Sequence, residues 1–319
     1  MQVELLIQHG SKVFIPAVEE GITWATERKG CPGELQFKVI KDDVLTITEG
    51  DAVRLKVDGK NVFYGFIFKL KRDKQQIISV TAYDQLRYLK NKDTYVYENK
   101  TAGELVKMIA NDYNLQSGFI EDTGYTIPSR VEENTSLFDM IQNALDLTLQ
   151  NQSYMYVLYD DFGKITLKGL DNMRLNLLID EETGENFDYA SSIDDQTYNR
   201  VKLTYDNEKT GTREVYISQD SNNMNTWGVL QYFDTLQEGE NGAAKADALL
   251  SLYNKKTRNL SIKNAIGDTR VRAGSMVVVM LDLGDMKVNT LMLVEKSKHE
   301  FKESQHLMTL TLRGGEFIA

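Results

Sequence analysis

Gly267-Asp-Thr-Arg-Val-Arg-Ala-Gly-Ser-Met-Val-Val-Val-Met-Leu281 is followed by a turn at Asp282-Leu-Gly-Asp285 and returns as Asn289-Thr-Leu-Met-Leu-Val-Glu-Lys-Ser-Lys298. After a polar turn around Lys302 to Ser304 the chain comes back once more as His306-Leu-Met-Thr-Leu-Thr-Leu312. Short apolar and β-branched runs joined by tight polar turns predict an antiparallel meander. In the last strand Leu307, Thr309 and Thr311 face one way and Met308, Leu310 and Leu312 the other, so one side is greasier. Ser275 to Leu281 is a continuous apolar run, which predicts a strand covered on both faces. Such a sheet has edges, and these must close, pair or be covered.

The same architecture is written near the other end of the chain. Glu49-Gly50-Asp51 opens the strand Val53 to Val57, Asp58-Gly59-Lys60-Asn61 is hairpin-turn chemistry, and the chain returns as Val62 to Leu70. A turn at Lys71 to Gln75 leads to Ile77-Ile-Ser-Val-Thr-Ala-Tyr83. The echo is one of layout, not of residues, and it predicts two related β modules at the two ends of one chain.

Working outward, 319 residues and 36.4 kDa leave room for two or three domains with sizeable cores. A formal charge of −10 argues against a protein that grips nucleic acid through its phosphates, which requires a basic face. Met1 to His9 lacks a basic leader and a long apolar core, so no signal peptide is expected. No apolar run approaches the roughly 18 residues needed to span a bilayer. Synthesis and first residence in a reducing cytoplasm follow from this reading.

Strands are expected at Val3 to Gln8, Lys12 to Ile15, Ile22 to Glu27 and Glu34 to Ile40, enough with the first meander to close a small barrel or sandwich. Thr101-Ala-Gly-Glu104 is a capping box opening a helix with Leu105, Met108 and Ile109 at helical spacing. Asn134 to Asp139 opens a second helix with a core-facing stripe of Leu137, Met140, Ile141, Ala144 and Leu145. A hairpin follows, Tyr154 to Tyr159 and Lys164 to Leu167 across Asp160-Asp-Phe-Gly163. Asp171 to Asp195 is polar and acidic, with Glu181-Glu-Thr-Gly184 and Asp194-Asp195 read as loops. Asn199 to Tyr205 pairs with Thr212 to Ser218 across Asp206 to Gly211, Trp227 to Phe233 is a further strand, and Asn241 caps a helix carrying Ala246, Leu249, Leu250 and Tyr253.

Little of this carries chemistry. Cys31 is alone, in the turn Gly30-Cys-Pro-Gly33, without a nearby His, and reads as incidental. Asp160-Asp161, Glu181-Glu182 and Asp194-Asp195 are adjacent pairs, and turns select such carboxylates for local hydrogen bonds, so they read as solvated. His299 and His306 flank one turn, but two imidazoles are an incomplete metal site, so ordinary polar surface is expected. Phosphate-cradling, dinucleotide, zinc-protease and nucleophile-elbow motifs are missing from the sequence. The expectation is no catalytic, cofactor-binding or metal residues and no cofactor, with partner-binding residues not assignable.

Three blocks resemble the YqbQ/XkdQ family of baseplate hub proteins from contractile phage tails and phage-tail-like (R-type) bacteriocins. They are Gly50-Asp-Ala-Val-Arg54 with Val80-Thr-Ala-Tyr-Asp-Gln-Leu-Arg-Tyr-Leu89; Asp194-Asp-Gln-Thr-Tyr-Asn-Arg-Val201; and Asn264 to Ser275 with Leu293 to His299 and Leu310-Thr-Leu-Arg-Gly-Gly315. The likeness spans nearly the whole chain, in order and at matching lengths. It implies an α+β, predominantly β fold: two small antiparallel β-barrel modules of tail-tube type with a mixed α/β insert. It further implies a homotrimer that presents six barrels to a sixfold tail tube protein on one face and carries a central spike protein on the other, among other baseplate proteins. Family relatives sometimes carry or recruit a cell-wall hydrolase, but no added domain is read here, the chain ending at Phe317-Ile-Ala319.

The domain reading is therefore residues 1–98 as a first β-barrel module, 99–198 as the α+β insert, and 199–319 as a second module with one helix near 241–254. The functional reading is a non-enzymatic baseplate hub of a contractile injection system, without membrane insertion or specific nucleic-acid binding. Assembly would take place in the cytoplasm of the bacterial host, before incorporation into the particle's baseplate. The alternative, a baseplate-associated carbohydrate hydrolase or glycan-binding module, would draw on the acidic loops.

Overall fold

Period-two alternation governs the first segment. The computed structural model describes residues 1–194, 197–207, 211–236, 241–302 and 304–314. Asp195, part of the turn between Asp206 and Gly211, the middle of the Lys302 to Ser304 turn, and the end from Gly315 to Ala319 lie outside the described residues. The strands begin with β1 (Val3–His9), β2 (Lys12–Phe14), β3 (Val18–Glu27), β4 (Glu34–Ile40), β5 (Ala52–Val57), β6 (Lys60–Arg72) and β7 (Ile77–Tyr83). In β4, Leu35, Phe37 and Val39 are buried while Gln36 and Lys38 are exposed, as the alternation requires. Asp58 and Gly59 join β5 to β6 with φ of 48° and 74°, the two left-handed positions of a type I′ turn. Leu5, Ile7, Trp24, Leu55, Ile67 and Val80 meet in one core with the β4 residues.

The next segment comprises β8 (Lys92–Lys100), α1 (Ala102–Asp112), β9 (Ser117–Ile120), β10 (Ile127–Ser136), α2 (Leu137–Gln152), β11 (Tyr156–Asp160) and β12 (Ile165–Gly169). The capping box forms both of its bonds, Glu104 N–H to Thr101 Oγ1 at 3.2 Å and Thr101 N–H to Glu104 Oε2 at 2.8 Å. The α2 stripe of Leu137, Met140, Ile141, Ala144 and Leu145 is buried, against Leu105 and Ile109 of α1. β10 pairs with β8 as a ribbon, and β11, β12 and β9 form a small sheet.

The acidic stretch after Asp171 is not all loop. It forms β13 (Arg174–Ile179) and β14 (Gly184–Ser192), because Leu175, Leu177 and Ile179 alternate beneath the charged residues. Next come β15 (Arg200–Asn207), β16 (Thr212–Gln219), α3 (Ser221–Trp227), β17 (Gln231–Thr235) and α4 (Gly242–Tyr253). The strand expected from Trp227 begins only at Gln231. Asp220 caps α3 through the amides of Asn222 and Asn223, and Gly228 ends it at a φ of 79°. Val201 and Leu203 of β15 pack on Ala246, with Leu249 and Leu250 beside them.

The closing segment is β18 (Thr257–Ile266), β19 (Met276–Asp282), β20 (Lys287–Lys302) and β21 (Gln305–Arg313). Met308, Leu310 and Leu312 are buried, as the alternation of β21 requires. β19 departs from expectation: Val277, Val279 and Leu281 are buried but Met280 is 45% exposed, so only one face is covered. A continuous apolar run does not by itself report two-sided burial.

Among the described residues, thirteen strands form one branched sheet, in the order β14-β18-β21-β20-β3-β4-β7-β6-β5-β1-β2, with β19 branching from β20 and carrying β13. Among the described residues neither meander closes into a barrel on its own. The meanders instead share hydrogen bonds, because β20 pairs with β3 from Lys296↔Glu27 to Phe301↔Ile22. Joining two edges satisfies backbone groups that separate modules would have to cover otherwise. The described chain divides into two compact units. One unit holds Met1–Asp188 and the described residues from Ser261 to Gly314, and the other is built on Tyr189–Leu260.

One-sided coverage of β19 is directly testable. Val279→Asp strands a charge in the core and is expected to destabilise the isolated protein by several kcal/mol. Met280→Asp, one residue along, should stay within about 1 kcal/mol. Urea unfolding of both variants checks this, and equal losses would contradict it.

Candidate functional site at the strand branch point

β20 changes partners along its length. Met276 to Asp282 of β19 pair with it from Leu293 back to Lys287, and β3 takes over from Lys296 onward. The switch falls at Glu295, where the register against β21 slips between Val294 and Lys296. Such a bulge re-aims a side chain. Here the Glu295 carboxylate accepts two bonds from Arg28, from Nε to Oε2 and from Nη2 to Oε1, both at 2.7 Å. The two side chains are only 5% and 11% exposed. The bidentate geometry offsets the cost of burying both charges, and losing either partner would leave a stranded ion. Beside it Thr26 Oγ1 accepts from Ala273 N–H at 2.8 Å and lies 2.8 Å from Ser297 Oγ. The branch point is thus held by polar bonds between residues some 250 or more positions apart.

A second polar group links this seam to the β11–β12 hairpin. Asp84 is buried and accepts from Gly33 N–H at 2.8 Å and Leu86 N–H at 3.0 Å. No side chain fits at Gly33, where a Cβ would lie 2.4 Å from Asp84 Oδ2. Asp160, 8% exposed, accepts from Gly163 N–H at 2.6 Å through Oδ1, while its Oδ2 has no hydrogen-bond partner. Arg272 donates to the Asp160 carbonyl at 2.6 Å and lies over the rings of Tyr159 (4.7 Å) and Trp24 (5.7 Å). Asp84, Asp160 and Arg272 line a cavity of about 20 Å³, room for roughly one water. Burial pushes the Asp160 carboxyl up to about 6, against the pull of the Gly163 amide, Gln85 and Arg272. Burial, reinforced by the Asp160 charge, holds Asp84 well above the usual carboxylate range.

The histidines are not surface. His299 is fully buried, stacked on Trp24 at 4.8 Å, and its Nε2 lies 3.0 Å from the Val271 carbonyl. A carbonyl only accepts, so Nε2 carries the proton and Nδ1 accepts from His306 Nε2 at 2.9 Å. Burial, then the neighbouring His306, pushes His299 down to about 3. Burial also lowers His306, against the pull of Asp268 and Asp58. One buried and one half-buried ring thus hold the loop before β19 at Val271; among the described residues no cluster of three metal-ligating side chains occurs.

The other sequence candidates stay apart from this chemistry. Cys31 lines the rim of the cavity, and burial followed by the Glu27 carboxylate pushes its thiol up, away from the reactive thiolate. Glu181 and Glu182 lie in an exposed turn, as does Asp194. Asp160 corrects the expectation of solvated turn carboxylates: its partner Asp161 is exposed, whereas Asp160 turns inward to cap the Gly163 amide. Asp84, Arg272 and the Arg28–Glu295 pair were not singled out from sequence. A tertiary charge pair leaves no local spacing to find.

Residues 22–313 match the YQBQ-like family model, and the chain belongs to that family. It is 32% identical over 309 residues to uncharacterized protein YqbQ of Bacillus subtilis (strain 168), covering 93% of this chain and 92% of that protein. It is 31% identical over 309 residues to phage-like element PBSX protein XkdQ of the same organism, covering 93% of each. Among solved structures, the 43 kDa tail protein of prophage MuSo2 from Shewanella oneidensis superposes with a TM-score of 0.70 at 13% identity, covering 97% of this chain and 98% of that one. The E. coli c3393 protein, a type VI secretion component described as structurally similar to T4 tail proteins gp27 and gp5, gives 0.55 at 10% identity, covering 99% and 78%. The fold is one shared with phage and prophage tail proteins.

The raised carboxylates give a signed pH dependence. Asp160 titrates near 3.9 when unfolded and about 6 when folded, so its favourable contribution is present at low pH and lost as pH rises through about 6. His299 works the other way, its contribution present above about 6.5 and lost as pH falls. Asp160→Asn keeps an acceptor for Gly163 and removes only the charge. Its stability advantage over the natural protein should grow from about 1 kcal/mol at about pH 4.5 to roughly 3 kcal/mol at about pH 7.5. Denaturant titrations of both proteins across that range measure it, and a constant difference would contradict the buried charge.

Proposed function

We propose that this protein is the baseplate hub of a contractile injection system, adapting a sixfold tail tube to a threefold central spike. The observation that carries the reading is the pair of meanders, echoed in sequence and held in one sheet by the β3–β20 seam. In the proposed assembly the two halves of that sheet act as two tube-type barrel modules, and a homotrimer presents six of them in a closed ring. Cyclic closure with heterologous contacts buries repeated surfaces without producing filaments. The tail tube protein docks on one face and the spike on the other, with further baseplate proteins around them.

The role is mechanical, with no bond made or broken. Its support is membership in the family, likeness to tail proteins, and a set of candidate groups used in packing and capping. The net charge of −10 suits a bore that does not hold anionic nucleic acid. Among the described residues no helix is long and apolar enough to cross a membrane. Assembly in the bacterial host's cytoplasm, followed by incorporation in the particle, completes the proposal.

The test is mass. Co-expressed with its tube and spike neighbours, the protein should purify at three times the 36.4 kDa of one chain, or as that trimer bound to them. A protein that remains monomeric beside those neighbours, while particles still assemble, would overturn the hub.

A further inference from the structure

The outer face of β6 carries a row of rings, Tyr64, Phe66 and Phe68, opposite the buried face of Phe63 and Ile67. Tyr64 and Phe66 lie 5.7 Å apart, and Phe66 and Tyr88 6.4 Å. Tyr64, Phe66 and Tyr88, with Tyr113, Asn114 and Gln116, wall an open groove of about 380 Å³, within the range of small-molecule sites. None of the lining side chains is charged, in a chain where 26% of residues are. A charged ligand would meet no counter-charge there.

The walls are held in place from behind. Gln85 donates through Nε2 to the Gln116 carbonyl and accepts from the Gln116 amide, both at 2.9 Å, fixing the loop after α1. Tyr113 donates to Asp93 Oδ2 at 2.8 Å. Gly163, at a φ of 84°, lies against Tyr64, where a Cβ would come within 2.5 Å of the ring. The polar groups facing outward remain free. The hydroxyls of Tyr64 and Tyr88 and the side-chain amides of Asn114 and Gln116 make no hydrogen bond among the described residues.

We propose that this groove binds a neutral pyranose unit of a glycan chain, stacked on Tyr64, Phe66 or Tyr88 and hydrogen-bonded by Asn114, Gln116 and the tyrosine hydroxyls. A pyranose has an apolar C–H face and a rim of hydroxyls that both donate and accept. The groove offers the complement of each: aromatic faces, and amides and hydroxyls with both capacities. Strand addition by a peptide is not available at Phe66, which is paired on both sides, with Ala52 of β5 and Tyr83 of β7. This site requires neither the trimer nor the tube.

The full chain is titrated with cellotriose, maltotriose and triacetylchitotriose, and separately with a proline-rich peptide, by calorimetry and saturation-transfer NMR. At least one trisaccharide should bind with a Kd at or below about 10 mM. Gln116→Ala and Asn114→Ala, at exposed positions, should each weaken it about threefold to tenfold without lowering Tm, and Tyr88→Ala by more than Tyr88→Phe. No binding of any of the sugars, sugar binding unchanged in all four variants, or occupation by the proline-rich peptide in their place would overturn the proposal.

Discussion

A single strand that changes partners organises the larger unit. β20 runs beside β21 along much of its length, yet pairs with β19 before Glu295 and with β3 after it. Without that exchange the N-terminal and closing meanders would each present a long unpaired edge to water or to another chain. The bulge at Glu295 makes the exchange possible, and Arg28 neutralises the carboxylate it turns inward. Loop-closure entropy across so many intervening residues is the main opposing term, and it grows only slowly with length. A short run of backbone bonds and one buried ion pair therefore hold segments that are distant in sequence.

The polar groups near the branch point share a logic. Asp84, Asp160, Arg272, His299 and Thr26 each satisfy a backbone amide or carbonyl of a loop that would otherwise enter the core unpaired. Carboxylates held above their usual range often mark catalysis. Here burial raises them against the backbone amides each one caps, and the cavity beside them has room for little more than a water. The same groups tie the sheet to the hairpin of β11 and β12.

Legibility followed the range of the interaction. The Asp58-Gly59 turn, the Thr101–Glu104 box and the α2 stripe are local, and each stands where spacing puts it. The alternation of β4 and β21 was equally plain. β13 and β14 were hidden because turn-forming acids mask a weak period of two. α3 was missed because Asn and Ser favour turns unless, as here, an Asp220 cap recruits them. The joining of the meanders was illegible for a different reason. Both edges are well-formed strands, and nothing in either one names its partner.

Native-state hydrogen exchange on the isolated protein tests the shared sheet most directly. Amides of Ile22 to Glu27 and Lys296 to Phe301 should exchange only through global unfolding, with the same free energy and denaturant dependence as the central amides of β6 and β21. Seam amides that open at low free energy, with β6 and β21 then unfolding at two different free energies, would contradict a single cooperative body.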